Sequence, residues 1–337
     1  MWMAPPGIGS SSERVLDTSP QSKNIVVLDG GFATQLSCHV SQPIDGDVLW
    51  SARFLASDPE AVIDTHLDFL RAGADVIITN TYQAGIDLFV KHLNVSKEAA
   101  YDLIRKAAQL AHIAVERYMV EFPNAKKPLV AGSVGPYGAS LHDGSEYNGS
   151  YAATTSVETM RNWHTPRINA LVDGGVDLLA IETIPCRVEA EMLVKLLQEK
   201  YPQVKAWLSF SAALDGKHTA YGEPFQEVAK ACYELNPQQI VAVGANCTAP
   251  RLIESLIAGI NTKKSNQIPL IVYPNSGESY TVEMGWINRD KCEPVETYIT
   301  RWLDLGVTWV GGCCRTYAID VTRIRREVEK WKQGQRC

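Results

Sequence analysis

The chain has 337 residues, of which 45% are hydrophobic and 21% charged, a balance typical of ordinary globular proteins. Its 32 basic and 38 acidic residues give a formal net charge of −6, and no Lys/Arg-rich run occurs, so we expect neither nucleic acid nor a membrane surface as a partner. No apolar run in the sequence approaches the roughly 18–20 residues that a membrane span needs.

The N-terminal segment, residues 1–23, predicts a flexible tail, since it is rich in Ser, Pro and Gly and lacks the charged start and apolar centre of a secretory signal. The last four residues, Gly-Gln-Arg-Cys, form no obvious targeting signal. We therefore expect a cytoplasmic protein, and the sequence leaves open whether it is a monomer or a weak homo-oligomer. In a reducing compartment, its eight cysteines indicate metal binding or catalysis before disulfides.

Short β-branched, apolar runs alternate along the rest of the chain with amphipathic helical patterns. The runs predict eight strands, at 25–30, 75–80, 129–134, 177–182, 206–211, 240–245, 269–274 and 307–311. The helical patterns lie at 58–72, 96–120, 153–174, 187–200, 224–236, 250–261, 294–305 and 318–333. In the first helix, Asp58 and Pro59 supply an N-cap and a first-turn proline, and Gly73 supplies a stop signal. Strands this uniformly apolar are typical of a parallel sheet covered by helices.

Eight βα units in one stretch of chain favour a single (β/α)8 TIM barrel, an α/β fold, over residues 24–335. An open doubly wound sheet is the alternative, although the Asp29-Gly30-Gly31 turn after the first strand lacks the G-x-G-x-x-G pattern of a dinucleotide site. In a barrel the active site lies at the C-terminal ends of the strands, so the residues that follow each strand become the candidates.

Three cysteines follow the sixth and eighth predicted strands. Cys247 follows the sixth, and Cys313 and Cys314 follow a Gly-Gly pair after the eighth. Three thiolates with an open fourth position are typical of a catalytic zinc site, and the glycines would let the backbone bend so that both neighbouring cysteines reach one ion. Cys313 and Cys314 could also be buried small side chains or an oxidised pair. The remaining cysteines are interpreted as structural or exposed; they are Cys38, Cys186, Cys232, Cys292 and Cys337.

We expect one zinc ion per chain, and three thiolate ligands would make it better suited to activating a thiol than to activating water. Three anionic sulfurs weaken the Lewis acidity of the ion, so a substrate thiol, deprotonated by coordination, suits the open position better than water does. We therefore interpret the site as one for a thiol acceptor. The alternatives are a zinc hydrolase or lyase with Glu182 as general base, and a thiol-based metal reservoir or redox sensor.

Further candidate residues lie at or near the predicted strand ends. Asp29 and Glu182 could act as acid and base or grip a substrate ammonium group; otherwise Asp29 is a turn residue and Glu182 belongs to a buried ion pair. Asn275 could offer its amide to a substrate carboxylate or could only form a turn. Trp50 and Tyr82 could present π faces to a cationic methyl donor, or could pack in the core or a lid.

These residues stand in segments that resemble the homocysteine S-methyltransferase family, zinc enzymes that make methionine. The matching segments are LDGGFATQL (28–36), DVLWSARFL (47–55), ADVIITNTYQA (74–84), GSVGPYGA (132–139), LLAIETIP (178–185), VGANC (243–247), YPNSGE (273–278) and VGGCCRT (310–316). They follow in the family's order from residue 25 to about residue 330. GANC together with GGCCRT is highly specific for the family.

The resemblance implies a (β/α)8 barrel with zinc on Cys247, Cys313 and Cys314. It implies L-homocysteine as the acceptor, with its sulfur on the metal and its amino group held by Asp29 and Glu182. The reaction would be an in-line displacement, in which the thiolate attacks the methyl carbon of an onium donor.

The resemblance also bears on backbone contacts and on the donor. Gly30 and Gly31 lie beside the amino-group position and would add backbone contacts. LWSARFL (49–55) and TNTYQA (79–84) resemble the branch that uses S-methylmethionine, with S-adenosylmethionine as a poorer donor. Betaine-using relatives differ at both places and carry a longer C-terminal extension, which we expect this chain to lack. A betaine-dependent enzyme is therefore the alternative.

Overall fold

The computed structural model of the chain describes residues 24–262, 266–281 and 285–335. The predicted tail, residues 1–23, and Cys337 lie outside the described residues. Within these ranges, no helix is both long enough and apolar enough to cross a membrane.

Eight parallel strands form one sheet in the described part of the chain, and each coincides with a predicted strand. They are β1 (Val26–Val27), β2 (Val76–Ile78), β3 (Leu129–Val134), β4 (Leu178–Ile184), β5 (Ala206–Phe210), β6 (Ile240–Asn246), β7 (Leu270–Tyr273) and β10 (Val307–Val310). The order across the sheet is β1-β10-β7-β6-β5-β4-β3-β2, and a parallel bridge between Leu28 and Val76 joins its two ends. The predicted (β/α)8 barrel is confirmed. The doubly wound alternative is excluded, because that fold reverses the strand order partway.

The helices that cover the barrel include all eight of the predicted ones. The helices are α1 (Phe32–Leu36), α2 (Phe54–Ser57), α3 (Pro59–Arg71), α4 (Ile86–Leu93), α5 (Lys97–Glu121), α6 (Val157–Asp173), α7 (Arg187–Lys200), α8 (Phe225–Leu235), α9 (Ile253–Ile257), α10 (Ile299–Asp304) and α11 (Ala318–Gly334). The sequence analysis missed α1 and α2, which span five and four residues, and α4, which spans eight. It also missed an antiparallel hairpin of β8 (Ser279–Thr281) and β9 (Gly285–Ile287), which precedes α10.

The barrel interior is filled by large side chains. The rings of Trp207 and Trp309 lie 5.8 Å apart inside the barrel, and Trp207 Nε1 donates a hydrogen bond to Tyr273 Oη at 2.9 Å. A second and larger core lies between the strands and the surrounding helices. Because the interior is packed, room for a ligand is expected only at the C-terminal ends of the strands, which we call the mouth.

The seam between β1 and β2 is held by two aspartates. The Asp75 N–H donates to the Val27 carbonyl at 2.7 Å, and the Asp75 carboxylate accepts from the Val27 N–H at 2.8 Å. Nearer the mouth, Asp29 Oδ2 accepts from the Ile78 N–H at 2.7 Å. The closure of the barrel therefore fixes the position of Asp29, one of the predicted site residues.

Candidate active site

Three sulfur atoms meet at the mouth of the barrel. Cys247 directly follows β6, and Cys313 and Cys314 follow β10 after two glycines. Their Sγ atoms all lie within 4.8 Å of one another, and those of Cys247 and Cys314 are 3.4 Å apart. Only β7 separates β6 from β10 in the sheet, which brings the two strand ends close enough for the side chains to converge.

Backbone hydrogen bonds fix the chain segments that carry these cysteines. The Cys247 N–H donates to the Tyr273 carbonyl at 3.1 Å, and the Cys313 N–H donates to the Pro274 carbonyl at 2.8 Å. Cys247 also has a positive φ of 49°, which residues other than glycine rarely adopt. The segments after β6 and β10 are therefore both tied to the end of β7, and the sulfur cluster is set by the strand ends.

The two glycines before Cys313 are required by close packing. A Cβ on Gly311 would lie 2.6 Å from Leu28 Cβ, and a Cβ on Gly312 would lie 2.3 Å from Thr316 Oγ1. Neither glycine has a positive φ. The two glycines therefore make room for β1 and for Thr316, and their predicted role in letting the backbone bend stays a prediction.

The sulfur cluster fits a metal ion. Zinc–sulfur bonds of about 2.3 Å put tetrahedral ligands roughly 3.8 Å apart, within the range of separations here. The pKa of Cys247 is held well below the usual thiol range, because the thiols of Cys313 and Cys314 hydrogen-bond to its sulfur. In the described ranges no fourth His, Cys, Asp or Glu joins the group. Three ligands with one open position are the pattern of a catalytic metal site.

Asn246 braces the sulfur cluster against the neighbouring strands. Its Oδ1 accepts from the Thr183 N–H and from Ser209 Oγ, both at 2.8 Å. Its Nδ2 donates to Thr183 Oγ1 at 2.8 Å and lies 4.0 Å from Cys313 Sγ. The sequence analysis named this residue only within the GANC segment. An amide is not a preferred zinc ligand, so chemistry alone gave no signal for its role.

Glu182 is a buried carboxylate near the C-terminal end of β4. Burial raises its pKa to about 7, although Ser133 Oγ donates a hydrogen bond to it. The guanidinium of Arg167 donates instead to the carbonyls of Thr81, Tyr82 and Gly135. Glu182 forms no salt bridge with any described residue, and the charge of Arg167 offsets the effect of burial on its pKa only in part, so the ion pair weighed as its alternative role is not a close one.

Asp29 is a second buried carboxylate and is only 1% exposed. Its Oδ2 is bonded across the seam to Ile78, and its Oδ1 has no partner in the part of the chain that the structure describes. Burial raises its pKa well above the usual range, and the charge of Glu182 raises it further. The bond to Ile78 gives this carboxylate a role in the seam beyond that of a turn residue. Two buried carboxylates of this kind favour a bound cation such as an ammonium group.

Gly30 and Gly31 pack tightly against the segment that carries the cysteines. The Gly31 N–H donates to the Thr316 carbonyl at 2.9 Å. A Cβ on Gly30 would lie 2.9 Å from that same oxygen, and a Cβ on Gly31 would lie 2.5 Å from the Cys313 carbonyl oxygen. Glycine is therefore needed at both positions for the geometry of the site, and the predicted backbone contact with substrate stays a prediction.

Asn275 belongs to the turn after β7. Its Nδ2 donates to the Cys247 carbonyl at 3.3 Å, and its Oδ1 accepts from the Gly277 N–H at 2.9 Å. The side chain thus stabilises the turn and the segment that holds Cys247. Its predicted contact with a substrate carboxylate remains a prediction.

Aromatic side chains lie beside the sulfur cluster. Trp50 and Tyr82 pack edge to face with ring centroids 6.1 Å apart. Burial raises the pKa of Tyr82 well above the usual range, and the charges of Glu146 and Cys247 raise it further. Tyr147 Oη lies 3.4 Å from Cys247 Sγ. The sequence analysis missed Glu146 and Tyr147, because they lie in the long loop between β3 and α6, well beyond the strand end.

A fully paired glutamate lies close to this site and contrasts with Glu182. The Glu189 carboxylate accepts from the Tyr137 N–H at 2.7 Å, lies 2.7 Å from His164 Nε2 and accepts from Tyr151 Oη. This network secures the start of the loop between β3 and α6. Glu189 is thus a structural acid held by three donors, whereas Glu182 has hydrogen bonds but no salt bridge with a described cation.

Comparison with known proteins gives consistent matches over nearly the whole chain. The sequence model described as homocysteine S-methyltransferase matches residues 26–328. A betaine-homocysteine S-methyltransferase from Drosophila melanogaster is 45% identical over 91% of this chain and 95% of its own, and homocysteine S-methyltransferase 1 from Brassica oleracea is 38% identical over 96% and 99%. The metallated form of the homocysteine methyltransferase MmuM from Escherichia coli superposes with a TM-score of 0.78 at 39% identity, over 90% of this chain and 96% of that one.

We predict opposite stability effects for the two buried glutamates. Because the pKa of Glu182 is raised from 4.5 to about 7, the folded wild type loses stability as the pH rises through this range. Glu182→Gln should therefore make the metal-free protein more stable at about pH 8, by on the order of 2 kcal/mol, and the gain should shrink towards pH 5. Denaturant unfolding at several pH values measures this difference.

The matched variant Glu189→Gln should be less stable than the wild type, because an amide NH2 would face the donors that now bond the carboxylate. A Glu182→Gln variant less stable than the wild type at about pH 8 would contradict the interpretation of Glu182 as a carboxylate without a counter-ion.

Proposed function

The chain belongs to the homocysteine S-methyltransferase family and is a methyl-transferring enzyme, and we propose that it moves a methyl group from S-methylmethionine, or less readily S-adenosylmethionine, to the thiol of L-homocysteine, giving methionine. The observation that carries this proposal is the three-sulfur cluster near Asp29 and Glu182, two buried carboxylates that form no salt bridge with any described residue. A thiol amino acid offers a partner to each, since its sulfur suits the metal position and its ammonium group suits the carboxylates.

Cys247, Cys313 and Cys314 would hold one zinc ion per chain, because thiolates favour a soft divalent ion and three of them leave one position open. Bound zinc would supply the positive charge that keeps the homocysteine sulfur a thiolate at neutral pH, where a free thiol with a pKa of about 8.5 is mostly protonated. The backbone bonds to the end of β7, together with Asn246, support this proposal, because they hold the ligands in a fixed arrangement.

Asp29 and Glu182 would bind the homocysteine ammonium group. The unpaired Oδ1 of Asp29 and the raised pKa of Glu182 support this role, since an ammonium would satisfy the first and favour the ionised form of the second. Gly30, Gly31 and Asn275 would add backbone and amide contacts to the amino-acid part of the substrate.

The transfer itself would be an in-line displacement. The homocysteine sulfur forms a bond to the methyl carbon while the bond from that carbon to the sulfonium sulfur of the donor breaks, and the electron pair of the broken bond stays on the departing sulfur. Trp50 and Tyr82 would face the onium charge, which aromatic rings stabilise. The donor loses its positive charge in this step, so both products are neutral thioethers at sulfur.

Betaine is the second candidate donor, because a 45% identical relative is named a betaine-homocysteine S-methyltransferase. We favour S-methylmethionine because the segments around Trp50 and Tyr82 resemble the branch that uses it.

We further propose that residues 24–335 act as one homocysteine-binding domain in the cytoplasm, as a monomer or weak homo-oligomer. Seven cysteines in the described ranges are free thiols, and thiolate ligands persist best in a reducing compartment.

A donor panel tests the proposed reaction. Reduced, zinc-supplied protein mixed with homocysteine and S-methylmethionine should yield methionine from both substrates, with S-adenosylmethionine slower and betaine slowest. Chromatography of the amino acids measures this. Methionine absent with every onium donor would refute the proposal, and fastest turnover with betaine would assign the chain to the betaine alternative.

Cys313→Ser should lower zinc content and methyl transfer together, because a serine hydroxyl replaces one of the three thiolates. Metal analysis of the purified protein and the same assay measure the two quantities. Cys38→Ser, which changes an exposed cysteine, is the matched control and should leave both unchanged. Full zinc content in Cys313→Ser would remove this residue from the ligand set.

Glu182→Ala should weaken homocysteine binding by about 10- to 100-fold, because a charge-assisted hydrogen bond to the ammonium is lost. Zinc should stay bound, since Glu182 lies outside the sulfur cluster. Calorimetric titration of the zinc-loaded variant with homocysteine measures the affinity. Unchanged affinity would show that the ammonium group binds elsewhere.

A further inference from the structure

The loop between β3 and α6 reaches the sulfur cluster through a short helical turn at Ser145–Tyr147. Tyr147 Oη lies 3.4 Å from Cys247 Sγ, and the backbone carbonyl of Glu146 accepts from Ser211 Oγ at 2.9 Å. The N–H of Ser145 is capped by Asp143 Oδ1 at 2.9 Å. Glu146 is therefore held by contacts on both sides at the mouth.

One oxygen of the Glu146 carboxylate has no hydrogen-bond partner among the described residues. Its Oε2 is buried and makes no hydrogen bond to any described residue, and within the same ranges no Lys or Arg forms a salt bridge with it. Burial raises its pKa, and the nearby charge of Cys247 raises it further. An acid placed in this way stabilises a ligand with a positive charge.

A cationic ligand at this place would lie near the Glu146 carboxylate, the aromatic rings of Trp50 and Tyr82, and the sulfur cluster. The charge of Glu146 raises the pKa of Tyr82, and the charge of Cys247 raises the pKa of Glu146, so the carboxylate lies near both the Tyr82 ring and the sulfur cluster. Trp50 packs edge to face against Tyr82. A carboxylate together with aromatic rings is the usual environment of a bound onium group. Asp29 and Glu182 belong to barrel strands or strand ends, whereas Glu146 comes from the loop that covers the mouth.

We propose that the Glu146 carboxylate binds the positive charge of the methyl donor and selects donors with a net positive charge. The inference rests on the proposed function, since that function supplies the onium donor. S-methylmethionine and S-adenosylmethionine carry a sulfonium and an ammonium against one carboxylate, whereas betaine carries one charge of each sign. A neighbouring carboxylate therefore favours the sulfonium donors over betaine. Because the positive charge disappears during transfer, Glu146 stabilises the bound donor more than the transition state.

Glu146→Gln tests this assignment, because it removes the charge and keeps the size of the side chain. The ligands are S-methylmethionine and its neutral carbon isostere homoleucine, titrated into zinc-loaded protein without homocysteine. The variant should bind S-methylmethionine about 10- to 100-fold more weakly, while the affinity for homoleucine stays within about twofold. In turnover, the KM for S-methylmethionine should rise while kcat stays the same or increases, and zinc content and the KM for homocysteine should not change.

Asp143→Asn is the matched control, because it removes a charge from the same loop while its amide oxygen can still cap Ser145. It should bind both ligands like the wild type. Equal weakening of S-methylmethionine and homoleucine by Glu146→Gln would show a structural role and overturn the inference, and so would unchanged binding of both. A wild type that binds no sulfonium ligand would also overturn it. A wild type that binds S-methylmethionine through Glu146 and makes no methionine would refute the proposed function alone.

Discussion

The site depends on the hydrogen bonds that tie the ends of β6 and β10 to the end of β7. The carbonyls of Tyr273 and Pro274 receive the N–H groups of Cys247 and Cys313, so three sulfurs are brought together by the same register that builds the barrel. Close packing of Gly311 and Gly312 leaves little freedom for the segment that follows. The protein thus imposes the arrangement of the thiols through its backbone, as expected of a site that must bind a substrate in a defined direction.

The mouth is rich in acidic side chains that form no salt bridge with any residue that the structure describes. Asp29, Glu182 and Glu146 all have a pKa raised chiefly by burial, and the cation buried nearby, Arg167, is occupied by backbone carbonyls. Such an imbalance destabilises a folded protein unless ligands correct it. Under the proposed function, it would also let one site bind a substrate with an ammonium group and a donor with an onium group.

The sequence was sufficient to predict the barrel, because each strand is a continuous apolar run and each long helix has clear start and stop signals. Polar residues at strand ends could likewise be found by the geometry of the fold. Glu146 and Tyr147 could not, since they lie in an irregular loop whose path depends on contacts such as that between Ser211 and the Glu146 carbonyl. Asn246 stood among the strand-end residues, but its bracing role was missed, because that role depends on partners on two other strands.

Under the proposed function, Asp29 would serve the scaffold and the ligand with one carboxylate. One oxygen fastens β1 to β2 through Ile78, and the other has no partner among the residues that the structure describes. A cation bound to the second oxygen would keep the group ionised and so strengthen the acceptor on which the first bond depends. Substrate occupancy and cohesion of the barrel wall are then thermodynamically linked. The hydrogen bond between Asp29 and Ile78 would therefore be stronger when substrate is bound. Local separation of β1 from β2 should then be rarer in the substrate-saturated enzyme than in the free enzyme.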